Sequence, residues 1–290
     1  MASKTTLEIA AGDWRAAVRP GVGGVLAALS HRDHDVLRPM PPEADHPVDS
    51  ACFPMVPYCN RIRRGQFSFG GRPVRLPLNL PPERHSLHGL GWQRPWLVTE
   101  IVGATIELVL DHAGAADGSG WPWPFRAVQR FELDESGLTQ TLTLINPGTE
   151  VMPAGIGLHP FFRRWKDSRA RFAARDLVLT GIDQLPTGEL VPADHFGDWG
   201  KGQTVPRHTI DHCHTDWSGE VRVEDGLGAI TMTVTGASNL HVYAPGTGRE
   251  LAFEPVNHLP DALNREGRDW TMPVLAPGQQ ASVVMRIAEG

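Results

Sequence analysis

The sequence predicts an all-β fold, a large sandwich or barrel that forms one domain over residues 1–290. Short runs of alternating apolar and polar residues are separated by turns, which is typical of antiparallel strands with one buried face. The 31 glycines and 25 prolines are spread along the whole chain. No long stretch shows the period of an amphipathic helix. The strand runs do not recur at a fixed spacing, which argues against a propeller or a solenoid.

The strand candidates follow one another from the N-terminus to the C-terminus. They are residues 14–18, 106–110, 127–133, 138–144, 229–234 and 281–287. The glycine-rich segment 21–26 lacks both the GK[ST] ending and the following helix of a phosphate-binding loop. We therefore expect its glycines to begin an edge strand and not to hold a nucleotide.

The composition is that of a globular protein without a strongly charged partner. Hydrophobic residues make up 41% and charged residues 21% of the 290 residues, and the net charge is -6 with no long basic run, so we expect no nucleic-acid partner. No apolar run approaches the roughly 20 residues of a membrane span, and the first six residues contain no apolar signal core. These features predict a cytoplasmic protein with no membrane partner. Cys52, Cys59 and Cys213 form no CxxC motif, so they support neither a disulfide framework nor a thiolate zinc site.

One imidazole stands out in the apolar and glycine-rich stretch 155–162. This residue, His159, follows an alternating strand candidate, and a strand would hold its ring at a fixed height and angle. Pro160 removes a backbone donor directly after it, which predicts a bulge, a sheet edge or a strand end. Gly155 and Gly157 leave the backbone bare, which suits the close approach of another chain segment or a ligand. By itself, His159 also fits an ordinary buried histidine.

Three polar side chains in apolar surroundings are candidates for ligand binding. Asn60 and Arg61 follow the apolar run 53–59, and His88 lies between a leucine and a glycine close to Trp92. The fixed donors of a guanidinium suit sugar hydroxyls or a nearby carboxylate, although Arg61 also fits a surface charge. An aromatic face and an imidazole donor are what a shallow sugar site needs.

Two carboxylates complete the set of candidates. Residues 210–217 cluster His, Cys and Asp, but their spacing matches no standard zinc template, so we favour an Asp211 that orients a ligand hydroxyl. Glu254 ends an apolar strand just before a proline. Burial there would raise its pKa toward a value useful for a general base, whereas an ordinary solvated glutamate is the alternative.

Taken together and in this order, these segments resemble the aldose 1-epimerase (mutarotase) family. The matching segments are residues 57–62, 65–71, 87–89, 157–162, 210–213 and 251–255. The resemblance implies a galactose mutarotase-like antiparallel β-supersandwich. It also implies Glu254 as the general base and His159 as the general acid. By the same resemblance Arg61, His88 and Asp211 hold the sugar, and we place Asn60 with them.

The family's chemistry, which the resemblance implies, interconverts the α and β anomers of a monosaccharide and needs no cofactor and no metal. A base removes the proton from the C1 hydroxyl while an acid protonates the ring oxygen, and each such transfer contributes about 10²–10⁴-fold. We therefore expect the side chains of His159 and Glu254 to face each other across a cleft at roughly 6–9 Å. His159 is followed by Pro-Phe-Phe, whereas the galactose mutarotases carry an Asn before this His and a Tyr-Phe-Asn after it. The resemblance therefore does not identify the sugar.

Other functions fit parts of the same pattern. A hexose-phosphate 1-epimerase could use the arginines near the site in sequence, although solvated arginines explain them too. These are Arg63, Arg64, Arg72 and Arg75. A carbohydrate-binding protein without turnover is a second alternative, and a glycosidase that uses Asp211 and Glu254 is a third. The sequence does not distinguish a monomer from a homodimer. It also assigns no role to the cluster 211–214.

Overall fold

The computed structural model describes residues 5–115, 120–164, 167–246, 250–267 and 270–290. Within these residues the chain consists of strands and turns, with only single short 3-10 helices, which confirms the all-β prediction. In chain order the strands are β1 (Leu7–Ala11), β2 (Trp14–Arg19), β3 (Val25–His31), β4 (His34–Asp35), β5 (Cys52–Met55), β6 (Arg61–Ile62), β7 (Gln66–Phe69), β8 (Arg72–Arg75), β9 (Ser86–Leu87), β10 (Leu97–Val102), β11 (Thr105–His112), β12 (Phe125–Asp134), β13 (Gly137–Ile145), β14 (Met152–Pro153), β15 (Gly157–Arg163), β16 (Arg169–Arg171), β17 (Asp176–Thr180), β18 (Pro186–Pro192), β19 (Gln203–Thr204), β20 (Ile210–Thr215), β21 (Glu220–Asp225), β22 (Gly228–Thr235), β23 (Asn239–Ala244), β24 (Glu250–Val256), β25 (Val274–Leu275) and β26 (Gln280–Glu289). The 3-10 helices are Pro47–Asp49, Arg63–Gly65, Gly91–Gln93, Trp199–Lys201 and Ala262–Asn264.

Two large sheets form the body of the β-supersandwich. Among the described residues, the 11-stranded sheet has the order β1-β2-β3-β5-β15-β24-β23-β20-β17-β18, with β4 attached to β3, and the 9-stranded sheet has the order β10-β11-β12-β13-β26-β22-β21-β16-β19. Neighbouring strands run antiparallel, as in the pairs β12–β13 and β23–β24. Apolar side chains from both sheets share one core, for example Leu29 of β3, Phe131 of β12 and Phe253 of β24.

Burial along the strands explains why the sequence alternates in some of them and not in others. In β12 and β13 every second residue is buried, so one face of the sheet packs and the other is partly exposed to solvent. In β15 and β24 nearly all residues are buried. These two central strands therefore cover the shared core with one face and carry buried side chains on the other.

The glycine-rich segment 21–26 does not begin an edge strand. It leads into β3, which lies between β2 and β5 in the interior of the large sheet, so the edge prediction is wrong. The glycines are needed for close packing: Gly23 has φ +68°, and a Cβ there would lie 2.0 Å from the carbonyl oxygen of Trp92. Sheet order depends on contacts remote in the chain, which a local glycine pattern does not report.

Pro160 also lies inside the sheet, although the sequence predicted a bulge, an edge or a strand end there. It is the fourth residue of β15, whose neighbours are β5 and β24. The pairing of β15 with β24 joins Gly157 to Val256 and resumes only at Phe161 with Ala252. Because Pro160 has no N–H, an interrupted ladder is the form that the predicted irregularity takes.

Within the described part of the chain there is no helix with the length and apolarity needed to cross a bilayer.

Candidate functional site

The candidate site is built on a row of side chains that crosses five adjacent strands of the large sheet. The register pairs Phe53 with His159, Glu254 with His241, and His241 with Cys213. The ladder between β15 and β24 is interrupted near residue 159, but the residue pairs on either side of the interruption place His159 opposite Glu254. Directly opposed residues have Cβ atoms about 4.5–5.5 Å apart, so these five side chains form a continuous row.

His159 and Glu254 are in direct contact. The Nε2 atom of His159 lies 3.1 Å from Oε1 of Glu254, and the two residues are 6% and 2% exposed. The sequence placed them together, but the expected separation of roughly 6–9 Å, set by a sugar between them, is wrong for this structure. Opposed positions on neighbouring strands bring the two side chains within hydrogen-bond reach. Among the described residues, Oε2 of Glu254 has no hydrogen-bond partner.

Two phenyl rings hold the imidazole of His159. The ring centroid of Phe53 lies 4.3 Å and that of Phe161 lies 4.4 Å from the imidazole centroid, with interplanar angles of 33° and 29°. The guanidinium of Arg38 covers Phe161 at 3.9 Å from the ring centroid. Rings against the imidazole restrict its rotation, so its Nε2 atom stays directed at Glu254.

His241 is a member of the site that the sequence reasoning missed. Its Nε2 atom lies 2.6 Å from Oδ1 of Asp211 and 3.5 Å from the side-chain nitrogen of Asn60. The only sequence signal is an imidazole inside the apolar strand β23, which is the same kind of signal that drew attention to His159. Its importance depends on its neighbours on β20 and β24, which only the sheet order reveals.

Arg61 connects three parts of the site. Its Nε atom donates to Oε2 of Glu83 at 3.0 Å, its Nη1 atom lies 3.5 Å from Oδ2 of Asp211, and its Nη2 atom donates to Gln184. Glu83 and Gln184 were not predicted, because nothing in their local sequence distinguishes them from other loop residues. Both oxygens of Asp211 face protein cations. We therefore interpret Asp211 as the group that holds Arg61 and His241 in place.

Asn60 and His88 fix each other in a strained turn. Both have positive φ, 54° and 57°, a conformation that non-glycine residues adopt infrequently and that often occurs at functional sites. The backbone N–H of Asn60 donates to Nδ1 of His88 at 3.1 Å, and the N–H of His88 donates to the carbonyl of Asn60 at 3.0 Å. Next to them, Gly89 (φ +72°) is required because a Cβ there would lie 2.0 Å from the carbonyl oxygen of Val56.

Because Gly155 and Gly157 have no side chains, the segment that carries Asn60 can pack closely against them. A Cβ on Gly155 would lie 2.6 Å from the Cα of Tyr58, and one on Gly157 would lie 2.9 Å from Sγ of Cys59. The close approach predicted for these glycines is therefore made by the chain itself.

One group of side chains has the residue types of a metal site. His88, His159 and Glu254 each offer one ligand atom, and these atoms lie within 4.8 Å of one another. A metal-bound histidine normally donates a hydrogen bond from its other ring nitrogen. Nδ1 of His88 instead accepts from the N–H of Asn60, so neutral His88 carries its proton on Nε2. His88 therefore presents a hydrogen-bond donor, which suits a ligand oxygen better than a cation.

Burial shifts the pKa values of the central pair in opposite directions. Burial raises the pKa of Glu254 from 4.5 to about 7, although the charge of His241 opposes the shift. Burial lowers the pKa of His159 well below 6.5, and the charges of His241 and Arg38 add to this effect. The pair His159–Glu254 therefore gains its first proton near neutral pH and resists a second one.

The neighbouring pair is ionised. Burial alone would lower the pKa of His241, but the charge of Glu254 and the hydrogen bond to Asp211 raise it well above 6.5. Burial alone would raise the pKa of Asp211, but the hydrogen bond and charge of His241, together with the charge of Arg61, leave it below 3.8. When Glu254 is ionised, charges therefore alternate along the line from Glu254 through His241 and Asp211 to Arg61.

Strand alternation divides the cluster 211–214. Asp211 faces the site and Cys213 lies in the row beside His241. The other two side chains lie elsewhere: His212 stacks on Phe196 and His214 packs against Phe172, each at 4.9 Å between centroids. The four residues therefore do not act as one ligand set.

Comparison with known proteins agrees with this fold. Residues 5–288 match the sequence profile of the aldose 1-epimerase family. The chain is 30% identical to the uncharacterized protein YphB of Escherichia coli (strain K12) over 91% of this chain and 92% of that protein. A crystal structure of an Escherichia coli K12 protein has a TM-score of 0.87 at 28% identity and 98% coverage of both chains. The galactose mutarotase-like protein of Clostridium acetobutylicum has a TM-score of 0.85 at 20% identity, over 98% of this chain and 95% of that chain. The chain therefore belongs to the aldose 1-epimerase family.

Proposed function

We propose that this protein is an aldose 1-epimerase that interconverts the α and β anomers of a monosaccharide, with Glu254 as general base and His159 as general acid. The observation that carries the proposal is the buried contact of 3.1 Å between the carboxyl group and the imidazole. A carboxyl group whose pKa lies at about 7 can accept and return a proton near neutral pH.

The reaction needs two proton transfers, one at each oxygen of the anomeric centre. Glu254 takes the proton from the C1 hydroxyl, His159 gives a proton to the ring oxygen, and the bond between C1 and the ring oxygen breaks to leave the open-chain aldehyde. Rotation about the C1–C2 bond presents the other face of the carbonyl, and ring closure returns both protons. The two sugar oxygens are attached to one carbon. A bound sugar would therefore lie between the two side chains. Its two oxygens would then replace the direct contact of His159 with Glu254.

The surrounding donors suit the positioning of the sugar. We infer that His88 directs its Nε2–H at a sugar oxygen, because Asn60 occupies its other nitrogen. Arg61 is held by Glu83 and Asp211, so its donors are oriented before the substrate arrives. Groups that are fixed in advance contribute to rate by orientation and by stabilising developing charge.

A direct test is the rate of anomer exchange. Fresh α-D-glucose and α-D-galactose should reach anomeric equilibrium faster with the protein than without it, as measured by polarimetry or exchange NMR over a panel of aldoses. The panel should include hexose 6-phosphates, since preferred turnover of those would identify a hexose-phosphate 1-epimerase. The four arginines that could hold a phosphate are exposed, which favours the unphosphorylated sugar. Saturable binding by calorimetry without faster exchange would instead identify a carbohydrate-binding protein.

We expect kcat/KM to decrease on the alkaline side of neutral pH. Below about pH 7 the pair holds one proton, which lies mostly on Glu254 because its pKa is the higher of the two. The active form is the fraction of the pair in which this proton is on His159 and Glu254 is ionised. Because the pKa of Glu254 is raised to about 7, the pair loses that proton as the pH rises through about 7, and kcat/KM should decrease. The second proton enters only well below 6.5, where burial holds the pKa of His159, so kcat/KM should be level from about pH 7 down to about pH 6. A profile of kcat/KM corrected for spontaneous exchange checks this, and a rate that increases through pH 7 would contradict the shared proton.

A further inference from the structure

His241 lies between two carboxyl groups. On one side its Nε2 atom is 2.6 Å from Oδ1 of Asp211, and on the other side the register places it directly opposite Glu254. The residue is 2% exposed, so little water screens its interaction with either carboxyl group. An imidazole in this position is more stable as a cation than as a neutral ring, because two acidic groups flank it.

We propose that His241 is a positioning residue for the reaction: held as an imidazolium by Asp211, it keeps the adjacent Glu254 able to ionise inside a buried site. The inference rests on the proposed function, because it identifies what controls the base of that reaction. His241 acts through Glu254 and needs no contact with the sugar.

The physical basis is the cost of a buried carboxylate. A carboxyl group removed from water resists ionisation unless a cation lies close to it. Two opposed residues on neighbouring strands are close enough for a unit charge to shift a neighbouring pKa by about one to two units at the effective dielectric constant of protein sites. Without the charge of His241, the carboxyl of Glu254 would keep its proton to a higher pH and would act as a base less often.

The other charged and titratable groups near Glu254 do not replace His241. Arg61 also favours the ionised carboxylate but has a smaller effect than His241, and Asp211 has the opposite effect. The guanidinium of Arg61 is already engaged by Glu83 and Asp211. The groups that surround Glu254 are His159 on β15, His241 on β23, Asp211 and Cys213 on β20, Arg61 on β6, His88 after β9, Cys52 on β5, and Cys59.

The substitution His241→Gln tests the proposal because it keeps a polar side chain and removes the charge. The active pair needs an ionised Glu254 with the proton on His159, so raising the pKa of Glu254 by one unit lowers that population about tenfold. We expect kcat/KM near neutral pH to fall about tenfold or more, and the alkaline limb to move upward by about one pH unit or more.

A matched control is His212→Gln. This residue is adjacent to Asp211 in β20, but its side chain stacks on Phe196 away from the row. Its substitution should leave the alkaline limb where it is in the parent protein. A loss of activity in His241→Gln with an unmoved limb would show that His241 only supports packing, and would overturn the proposal.

A second readout does not depend on turnover. The carboxyl carbon of Glu254 can be followed by ¹³C NMR during a pH titration, with Glu254→Gln used for assignment. The carboxyl should titrate at higher pH in His241→Gln than in the parent protein. An unchanged titration in His241→Gln would refute the inference. If the parent protein accelerates no anomer exchange, the proposed function fails, while this titration still decides whether His241 controls Glu254.

Discussion

Replacement of Glu254 by glutamine should lower kcat for anomer exchange by about 10³–10⁴-fold while leaving KM within a few-fold of the parent value. Glutamine has nearly the same shape and can still hydrogen-bond to Nε2 of His159, but it cannot take a proton from the C1 hydroxyl. The loss should therefore appear in the chemical step. Polarimetry at saturating sugar measures it, and retention of more than about a tenth of the activity would remove Glu254 from the role of base.

The same substitution should change the pH dependence of stability. The pKa of Glu254 is raised from 4.5 to about 7 in the folded state, so the protonated carboxyl favours folding at low pH. This contribution is complete below 4.5 and is lost as the pH rises through 7, by up to about 3 kcal/mol. Urea unfolding at pH 5 and pH 8 should show that Glu254→Gln gains stability relative to the parent protein as the pH rises. If the Glu254→Gln variant is stably folded, its loss of activity cannot be attributed to unfolding.

The parts of the fold that follow from short-range patterns could be predicted from the sequence. Alternating burial in β12 and β13 corresponds to alternating residue types, and the absence of a helical period predicted a chain of strands. Sheet order could not be predicted in this way. The pattern of segment 21–26 predicts an edge strand, yet β3 lies inside the large sheet, because strand neighbours are chosen by contacts remote in the chain. At Pro160 the sequence predicts a bulge, an edge or a strand end, and the structure has an interrupted ladder inside the sheet.

The same limit applies to the candidate site. His159 and Glu254 could be selected because each is a polar residue in an apolar strand, and the family resemblance gave both a role. Their contact at 3.1 Å could not be predicted, since it requires β15 and β24 to be adjacent with residues 159 and 254 opposed. His241 was missed for the same reason: its chemistry comes from Asp211 on one neighbouring strand and Glu254 on the other. A systematic search for lone imidazoles in apolar strands would have found it.

The second large effect is expected for His159. Substitution by alanine or by glutamine should lower kcat by about 10²–10⁴-fold, because each removes the group that we propose protonates the ring oxygen. The comparison of the two variants separates proton transfer from hydrogen bonding. Glutamine retains a donor but has no transferable proton, so a glutamine variant as impaired as the alanine variant would identify His159 as an acid. A glutamine variant within about tenfold of the parent would show that a hydrogen bond is enough.

The surroundings of His159 make this comparison interpretable. Phe53 and Phe161 contact the imidazole at 4.3 Å and 4.4 Å between centroids, and they would remain to enclose a glutamine of similar length. The His212→Gln variant is the matched control, since it makes the same chemical change outside the row and should keep full activity. Because the sheet holds the proposed acid and the proposed base on opposed positions of adjacent strands, loss of either one removes the partner with which the other would exchange a proton across the sugar.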